Sequence, residues 1–320
     1  MPVTSEIRIV TVGVADLDRA SRFYRDVLGW QARDRGDVDR RLHAAWRIPR
    51  GVHARYEVLS RPGSASSMLR LVAFDRPGER IWGDYSRVQD HGLFALNFRV
   101  ADCRAAWPRL QQAGAVPRSA PTRWSIDEGL VAVDSQAFDP DGVLVDVYEI
   151  ESVAGHHAKL YPPLAGAVAN DLETVALHVA SADRSRDFYA ALGFEVYFDR
   201  TIETMGDFLH LPAGVPLRDV NMVMQDRPHV GCIEIVEYVG LPGRPLRERA
   251  VPPNLGILSI TFDAADLAEV EYVTRRRGAV PITAEHVVAN LPPWGEAALY
   301  ACHGPDGEVL EFCRAPEATE

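Results

Sequence analysis

Four side chains in the second half of the chain are of types that move protons, and each lies in or beside a strand-like stretch. Glu234 falls in CIEIVEY, Glu311 in EVLEF, His178 in TVALHVA and Tyr300 in AALYACHGPDGEVLEF. Two carboxylates that share a cavity repel when both are ionised. One pKa then rises, leaving a neutral acid beside an anion near neutral pH, which is usable acid–base equipment. An imidazole serves as base or anchor, and a phenol orients a substrate oxygen or donates a proton. His210 in GDFLHLPAG and His229 in QDRPHVGC flank further strand-like stretches and are candidates to reach the same cavity. His303 abuts a GPDG turn and reads as a turn residue, and His156-His157 reads as a solvated linker pair. In the first half, His43, Trp46 and Gln136 are candidates to line a second pocket, although a stabilised apolar cup is the simpler outcome there.

The elements that must position these groups repeat. IVTVGVADLDRASRFYRDVLGW (9–30) has a near-copy in TVALHVASADRSRDFYAALGF (174–194). The FY pairs at 23–24 and 188–189 are 165 positions apart, as are DPDG at 139–142 and GPDG at 304–307. A constant offset over most of the chain marks a tandem duplication. Each half holds a weaker second copy, FALNFRVADCRAAWPRL (94–110) and LSITFDAADLAEVEYVTRRRGA (258–279). In the strand from 174, alternation puts Val175, Leu177 and Val179 on one face and Thr174, Ala176 and His178 on the other. Asp or Ser stands where each helix begins, ready to cap free N–H groups. Ala20, Phe23, Tyr24, Val27 and Leu28 form one apolar helical stripe. The chain therefore reads as α+β, four βαβββ modules covering roughly 5–77, 92–150, 171–241 and 255–315.

This pattern resembles the vicinal oxygen chelate superfamily, which includes glyoxalase I, bleomycin resistance proteins and extradiol dioxygenases. The resemblance rests on ADLDRASRFYRDVLG, SADRSRDFYAALG, FDPDGVLVDVYE and HGPDGEVLEF. It implies two tandem glyoxalase-like domains, an N-terminal one over 1–150 and a C-terminal one over 171–320, joined by a linker at 151–170. In that family two modules curl into a cup, and first-strand and last-strand positions hold a divalent metal. Carried over position by position, the first half offers Ile9, Arg70, Ala95 and Asp146, and the second half Thr174, Glu234, Ser259 and Glu311. Arginine has no lone pair to give, so the first half is expected to be structural. The second half keeps two carboxylates and lacks both histidines, whereas Fe, Ni or Zn favour imidazole nitrogen. No metal is therefore expected; if one binds, Glu234 and Glu311 would hold it. Thr174, Ser259, Thr261 and His210 are the expected substrate-binding residues, around Glu234, Glu311, His178 and Tyr300 as catalytic ones.

The bulk composition narrows the partners. Lys+Arg 34 against Asp+Glu 45 gives a net charge of -11, a poor match to a phosphate backbone, so no nucleic acid is expected. TRRRGA (274–279) ends a helix, where arginines suit the C-terminus. No apolar run of membrane length and no signal-peptide pattern occur, and the four cysteines form no CxxC. A cytoplasmic setting with buried free thiols is expected, and homodimer formation is left open. The resulting expectation is a small-molecule acid–base isomerase, cyclase or lyase acting on an oxygenated, aromatic-type substrate without cofactor. The alternatives are a ligand-sequestering binding protein and a divalent-metal dioxygenase with unusual ligands. Which modules pair into each cup is left open.

Overall fold

The computed structural model describes residues 2–314 except 65, 84, 128, 165, 204, 212 and 213. Its first module runs β1 (Ile7–Val14), α1 (Leu17–Leu28), β2 (Gln31–Asp37), β3 (Ala54–Ser60) and β4 (Met68–Phe74). The second runs β5 (Gly92–Arg99), α2 (Cys103–Gln112), β6 (Val116–Asp127), β7 (Leu130–Phe138) and β8 (Leu144–Val153). The third comprises β9 (Thr174–His178), α3 (Ala182–Leu192), β10 (Glu195–Ile202), the single-turn α4 (Gly206–Leu209), β11 (Leu217–Val223) and β12 (Cys232–Tyr238). The fourth comprises β13 (Gly256–Asp263), α5 (Leu267–Arg276), β14 (Val280–Pro281), β15 (Val287–Leu291), β16 (Gly295–His303) and β17 (Val309–Arg314).

The modules pair out of sequence order. One sheet runs β14-β16-β17-β13-β1-β4-β3-β2, with β15 on β16, and so joins the fourth module to the first. The other runs β10-β11-β12-β9-β5-β8-β7-β6 and joins the third to the second. The seams are antiparallel pairs of first strands, β1 on β13 and β9 on β5. Each sheet therefore takes one module from each half of the sequence.

The helices form where the sequence provides caps and an apolar stripe. Asp16 accepts from the Arg19 N–H at the start of α1, and Gly29 ends it at φ 69, a conformation that costs glycine little. Asp102, Ser181 and Asp266 cap α2, α3 and α5 in the same way. Leu17, Ala20, Phe23, Tyr24, Val27 and Leu28 are all buried; each of the larger ones contributes about 1.5–3 kcal/mol of burial. They join Val175, Leu177 and Val179 in one core on the helix side of the sheets. A second cluster, with Ile9, Trp46, Val58, Phe94, Ala176 and Leu299, lines the opposite faces.

Within each half, the turn after the penultimate strand pins the other module's helix. Asp141 accepts from the Ala15 N–H at 3.1 Å and from Arg19 at 2.6 Å, and Tyr24 donates to Asp139 at 2.9 Å. In the second half, Asp306 accepts from the Ala180 N–H, Arg184 and Ser185, and Tyr189 donates to Glu308 at 2.8 Å. The repeated PDG sequence is thus a lock between modules whose strands lie in different sheets.

All four cysteines are buried free thiols. The expected solvated pair at 156–157 is corrected in part. His157 is buried and its ring nitrogen meets the Tyr197 hydroxyl, because residues 155–159 fold as a 3-10 turn against the second sheet's end. The His156 side chain lies outside the described residues.

Candidate functional site

The third residue of each module's last strand points to the same place in its sheet, and these four residues divide the cups. In the first sheet they are Arg70 on β4 and Glu311 on β17. In the second they are Asp146 on β8 and Glu234 on β12.

In the first sheet the two are opposite charges, and they close the cup. Arg70 Nη2 lies 2.6 Å from Glu311 Oε2 and 2.7 Å from Thr11 Oγ1, while Nη1 donates to the Pro292 carbonyl. Ser259 and Thr261 donate to Glu311 at 2.7 and 2.9 Å. The guanidinium carbon stands 4.5 Å from the centre of the Trp46 ring. Arg70 is 0% and Glu311 2% exposed, and only about 20 Å³ of cavity remains beside them. A buried pair holds when each partner's other polar atoms are also satisfied, and here the three hydroxyls do that.

In the second sheet both residues are acids, and the cup stays open. A cavity of about 170 Å³ is on the scale of one that holds a single aromatic ring, about 150 Å³. Aromatic side chains form much of its wall, among them Phe94, Trp124, Tyr148 and Tyr238. Its polar floor holds four carboxyl groups, Asp134, Asp146, Asp219 and Glu234. Asn97 donates to Glu234 at 2.6 Å, Gln136 to Asp146 at 2.9 Å and Asn221 to Asp219 at 2.8 Å.

Burial followed by the Asp146 charge pushes Glu234 up to about 7, against the Asn97 hydrogen bond. Burial followed by the Glu234 charge raises Asp219 well above the carboxylate range. Asp134 is raised well above the carboxylate range by burial and then by the Asp146 charge, and Asp146 is raised by burial against the pull of Asp134 and Gln136. The floor thus offers neutral acids beside a group poised between its two forms at neutral pH.

Arg118 on β6 faces these acids. Burial lowers its pKa, and its guanidinium donates to the Leu209 carbonyl at 2.9 Å and stacks near Phe94 and Phe138. The same contacts fasten α4 to β6 beside the cavity, where Ser119 donates to the Phe208 carbonyl at 2.6 Å and Met205 and Leu209 form part of the lining.

The structure redistributes the sequence-predicted site. Glu234, Thr174 and His178 line the open cup together. Glu311, Ser259 and Thr261 lie in the closed one. The expected convergence of Glu234 and Glu311 is therefore corrected: they belong to different sheets, because the third module pairs with the second and not with the fourth. They cannot share an ion. Tyr300 lies on the helix side, stacked on Phe312 with its hydroxyl 3.3 Å from Thr274 Oγ1, and reaches neither cup. His210 sits outside that lining, within 3.1 Å of Ser119 Oγ and 3.2 Å of the Arg118 carbonyl, as a fastener of α4. Of the first-half candidates, Trp46 covers Arg70 while Gln136 lines the open cup.

His178 is a wall residue. Its Nδ1 donates to the Val88 carbonyl at 2.6 Å and its ring lies 4.0 Å from that of Phe94. Burial drops its pKa to about 3, which leaves it neutral with its lone pair on Nε2.

Sequence reasoning missed Asp134, Asp219, Asn97 and Arg118. A signal was present: Asp134 and Gln136, and likewise Asp219 and Asn221, are polar residues two apart inside largely apolar strands, and such residues face one side together.

The metal that the resemblance implies can be tested on these donors. The corresponding positions in the open cup carry Ala95, Asp146, Thr174 and Glu234, with Asn97 beside them. Asn97 turns its amide nitrogen, which is no ligand, to Glu234. At these positions what remains is oxygen alone, from carboxylates and a hydroxyl, and the His178 imidazole stands outside them, tied to the Val88 carbonyl. Zinc, nickel and iron favour nitrogen or sulfur. The residues do not fit such a metal, and no step below is routed through one.

Comparison with known proteins supplies the family. A sequence model described as Glyoxalase/Bleomycin resistance protein/Dioxygenase superfamily matches residues 7–147. No curated protein matches the sequence significantly. Among solved structures, glyoxalase I from Zea mays superposes with a TM-score of 0.63 at 15% identity, covering 97% of this chain and 92% of that one. A putative dioxygenase from Bacillus subtilis superposes at 0.57 and 14% identity, covering 99% and 87%. At these identities the likeness speaks for the fold alone. Among the described residues no helix is long and apolar enough to cross a membrane. Residues 7–147 match the model of the Glyoxalase/Bleomycin resistance protein/Dioxygenase superfamily, and the chain as a whole has the fold of the glyoxalase I structures.

Proposed function

We propose that the open cup is the active site of a small-molecule enzyme that works by carboxylate acid–base chemistry without a required metal. The reaction class is isomerisation, cyclisation or elimination, on an oxygenated substrate with an aromatic or similarly flat body. The observation that carries this reading is Glu234, half-buried on the floor of a ring-sized cavity and held at about 7, where a general base is most effective.

In this scheme ionised Glu234 takes a proton from a substrate carbon beside a carbonyl or hydroxyl. A neutral carboxyl of the floor, Asp134 or Asp219, gives its proton to the substrate oxygen. Return of the first proton from Glu234 to a different carbon, as the floor carboxylate takes back the oxygen's proton, completes an isomerisation; if a leaving group departs with its bonding pair as that proton is taken back, the result is an elimination. The aromatic wall excludes water and fixes the ring plane.

The test is incubation with a panel of hydroxy- and keto-aromatic compounds in D2O, followed by NMR. The expected result is deuterium uptake or a new product, lost by about 100-fold or more in Glu234→Gln with the fold retained by circular dichroism. Compounds that bind tightly and return unchanged would instead support sequestration, a second reading that the aromatic wall also suits.

A further inference from the structure

We infer that the open cup binds a small organic cation, a guanidinium or primary ammonium group on an apolar body, with the charge seated between Asp146 and Glu234. This rests on the reading that the open cup is the functional site, and it specifies the class of its ligand.

The closed cup shows what the fold places against a carboxylate at this position. Arg70 and Glu234 are repeat equivalents, each the third residue of its module's last strand, as are Glu311 and Asp146. Against Glu311 the chain supplies a guanidinium of its own, at 2.6 Å, over a tryptophan face. Against Asp146 it supplies a second acid, and the volume that Arg70 fills in one cup is cavity in the other. The open cup is the closed one with its internal cation removed.

Three further observations agree. None of the four floor carboxyls has an arginine or lysine nitrogen within 4.0 Å among the described residues; Arg118 faces the cavity, donates from one terminal nitrogen to the Leu209 carbonyl and lies near two phenyl rings, with its Nε–H unpartnered. Gln136 is 4% exposed and its Oε1 has no hydrogen-bond partner, and neither has Asn97 Oδ1. These are acceptors waiting for N–H donors, and a buried acceptor left unmade is costly. The aromatic walls add faces that attract a cation.

The experiment measures binding of benzamidine and phenethylamine by calorimetry and thermal shift, against benzamide, benzoate, Mg2+ and Mn2+. Both organic cations are expected to bind and to raise the melting temperature, with benzoate inert. Asp146→Asn and Glu234→Gln should each weaken benzamidine on the order of tenfold or more, while Glu311→Gln leaves its affinity unchanged. Glu234→Arg should rebuild the closed cup's ion pair against Asp146, abolish cation binding and keep a cooperative melt. Benzamide or benzoate binding as tightly as benzamidine would overturn the inference, as would stabilisation by Mg2+ or Mn2+ with none by the organic cations. Cation binding without turnover of any compound leaves this inference standing and removes the acid–base reading; turnover of a neutral ketone with no cation affinity does the reverse.

Discussion

Arg70 Nη2 and Glu311 Oε2 lie 2.6 Å apart with both side chains out of water, although they are 241 positions apart in the sequence. Removing one member of such a pair leaves an uncompensated buried charge. Arg70→Met is therefore expected to cost about 3–5 kcal/mol. Arg70→Met combined with Glu311→Leu removes both charges and should recover most of that loss. Urea unfolding of the two variants and the parent checks this. A double variant as unstable as the single one would assign the effect to lost packing under Trp46.

Glu234 makes stability depend on pH in a defined direction. Its carboxyl titrates at about 7 when folded and near 4.3 when unfolded. Between those values the folded chain holds a proton that the unfolded chain has released. Stability therefore falls as pH rises through this window, by roughly 1.4 kcal/mol per unit, and stays at the lower level above it. Glu234→Gln cannot ionise. It should be more stable than the parent at pH 8, with the difference vanishing by pH 4. The comparison must be a difference of urea midpoints, because Asp139 at about 6 and Glu308 at about 8 shape both curves alike.

The modules were legible in the sequence because period, caps and the PDG turn are local signals. Ser181 capping α3 and the inward face of Thr174 and His178 follow from spacing alone. The site was only partly legible, because cup membership depends on which first strands form a seam. Sequence order suggests neighbouring modules, and under that assumption Asp146 looks stranded in a structural half. The seam of β9 on β5 sets Asn97 opposite Thr174 and so brings Asp146 to Glu234. Tyr300 failed for another reason: on β16 the sequence does not say which face is buried against helices and which lines a cup, since both are apolar.

Asp306 gives the module lock a measurable energy. Its side chain is fully buried and accepts from the Ala180 N–H, Arg184 and Ser185. Asp306→Ala strands the Ala180 N–H, a loss of about 1–3 kcal/mol for a buried group left unpaired, and leaves the Ser185 hydroxyl only the Ser181 carbonyl at 3.2 Å. Asp18 makes an exposed ion pair with Arg35, and Asp18→Ala should cost less than about 1 kcal/mol. Thermal melts of the two variants side by side separate a lock from a surface pair. Equal small losses would mean that the helix core alone holds the modules.

Two isosteric substitutions at carboxylates of the same family position should part ways. Glu311→Gln keeps one acceptor oxygen where Ser259 and Thr261 now have two and loses the charge against Arg70, so it should lower stability and leave turnover intact. Glu234→Gln should abolish turnover and, above neutral pH, raise stability. The parent rate should climb with pH through about 7 as Glu234 ionises to its basic form, and Glu311→Gln should keep that limb at the same pH. Melting temperatures, single-turnover rates and the pH profile of both variants decide the matter. If Glu311→Gln removed turnover at unchanged stability, the chemistry would belong to the first sheet after all, with Arg70 as a participant in place of a plug.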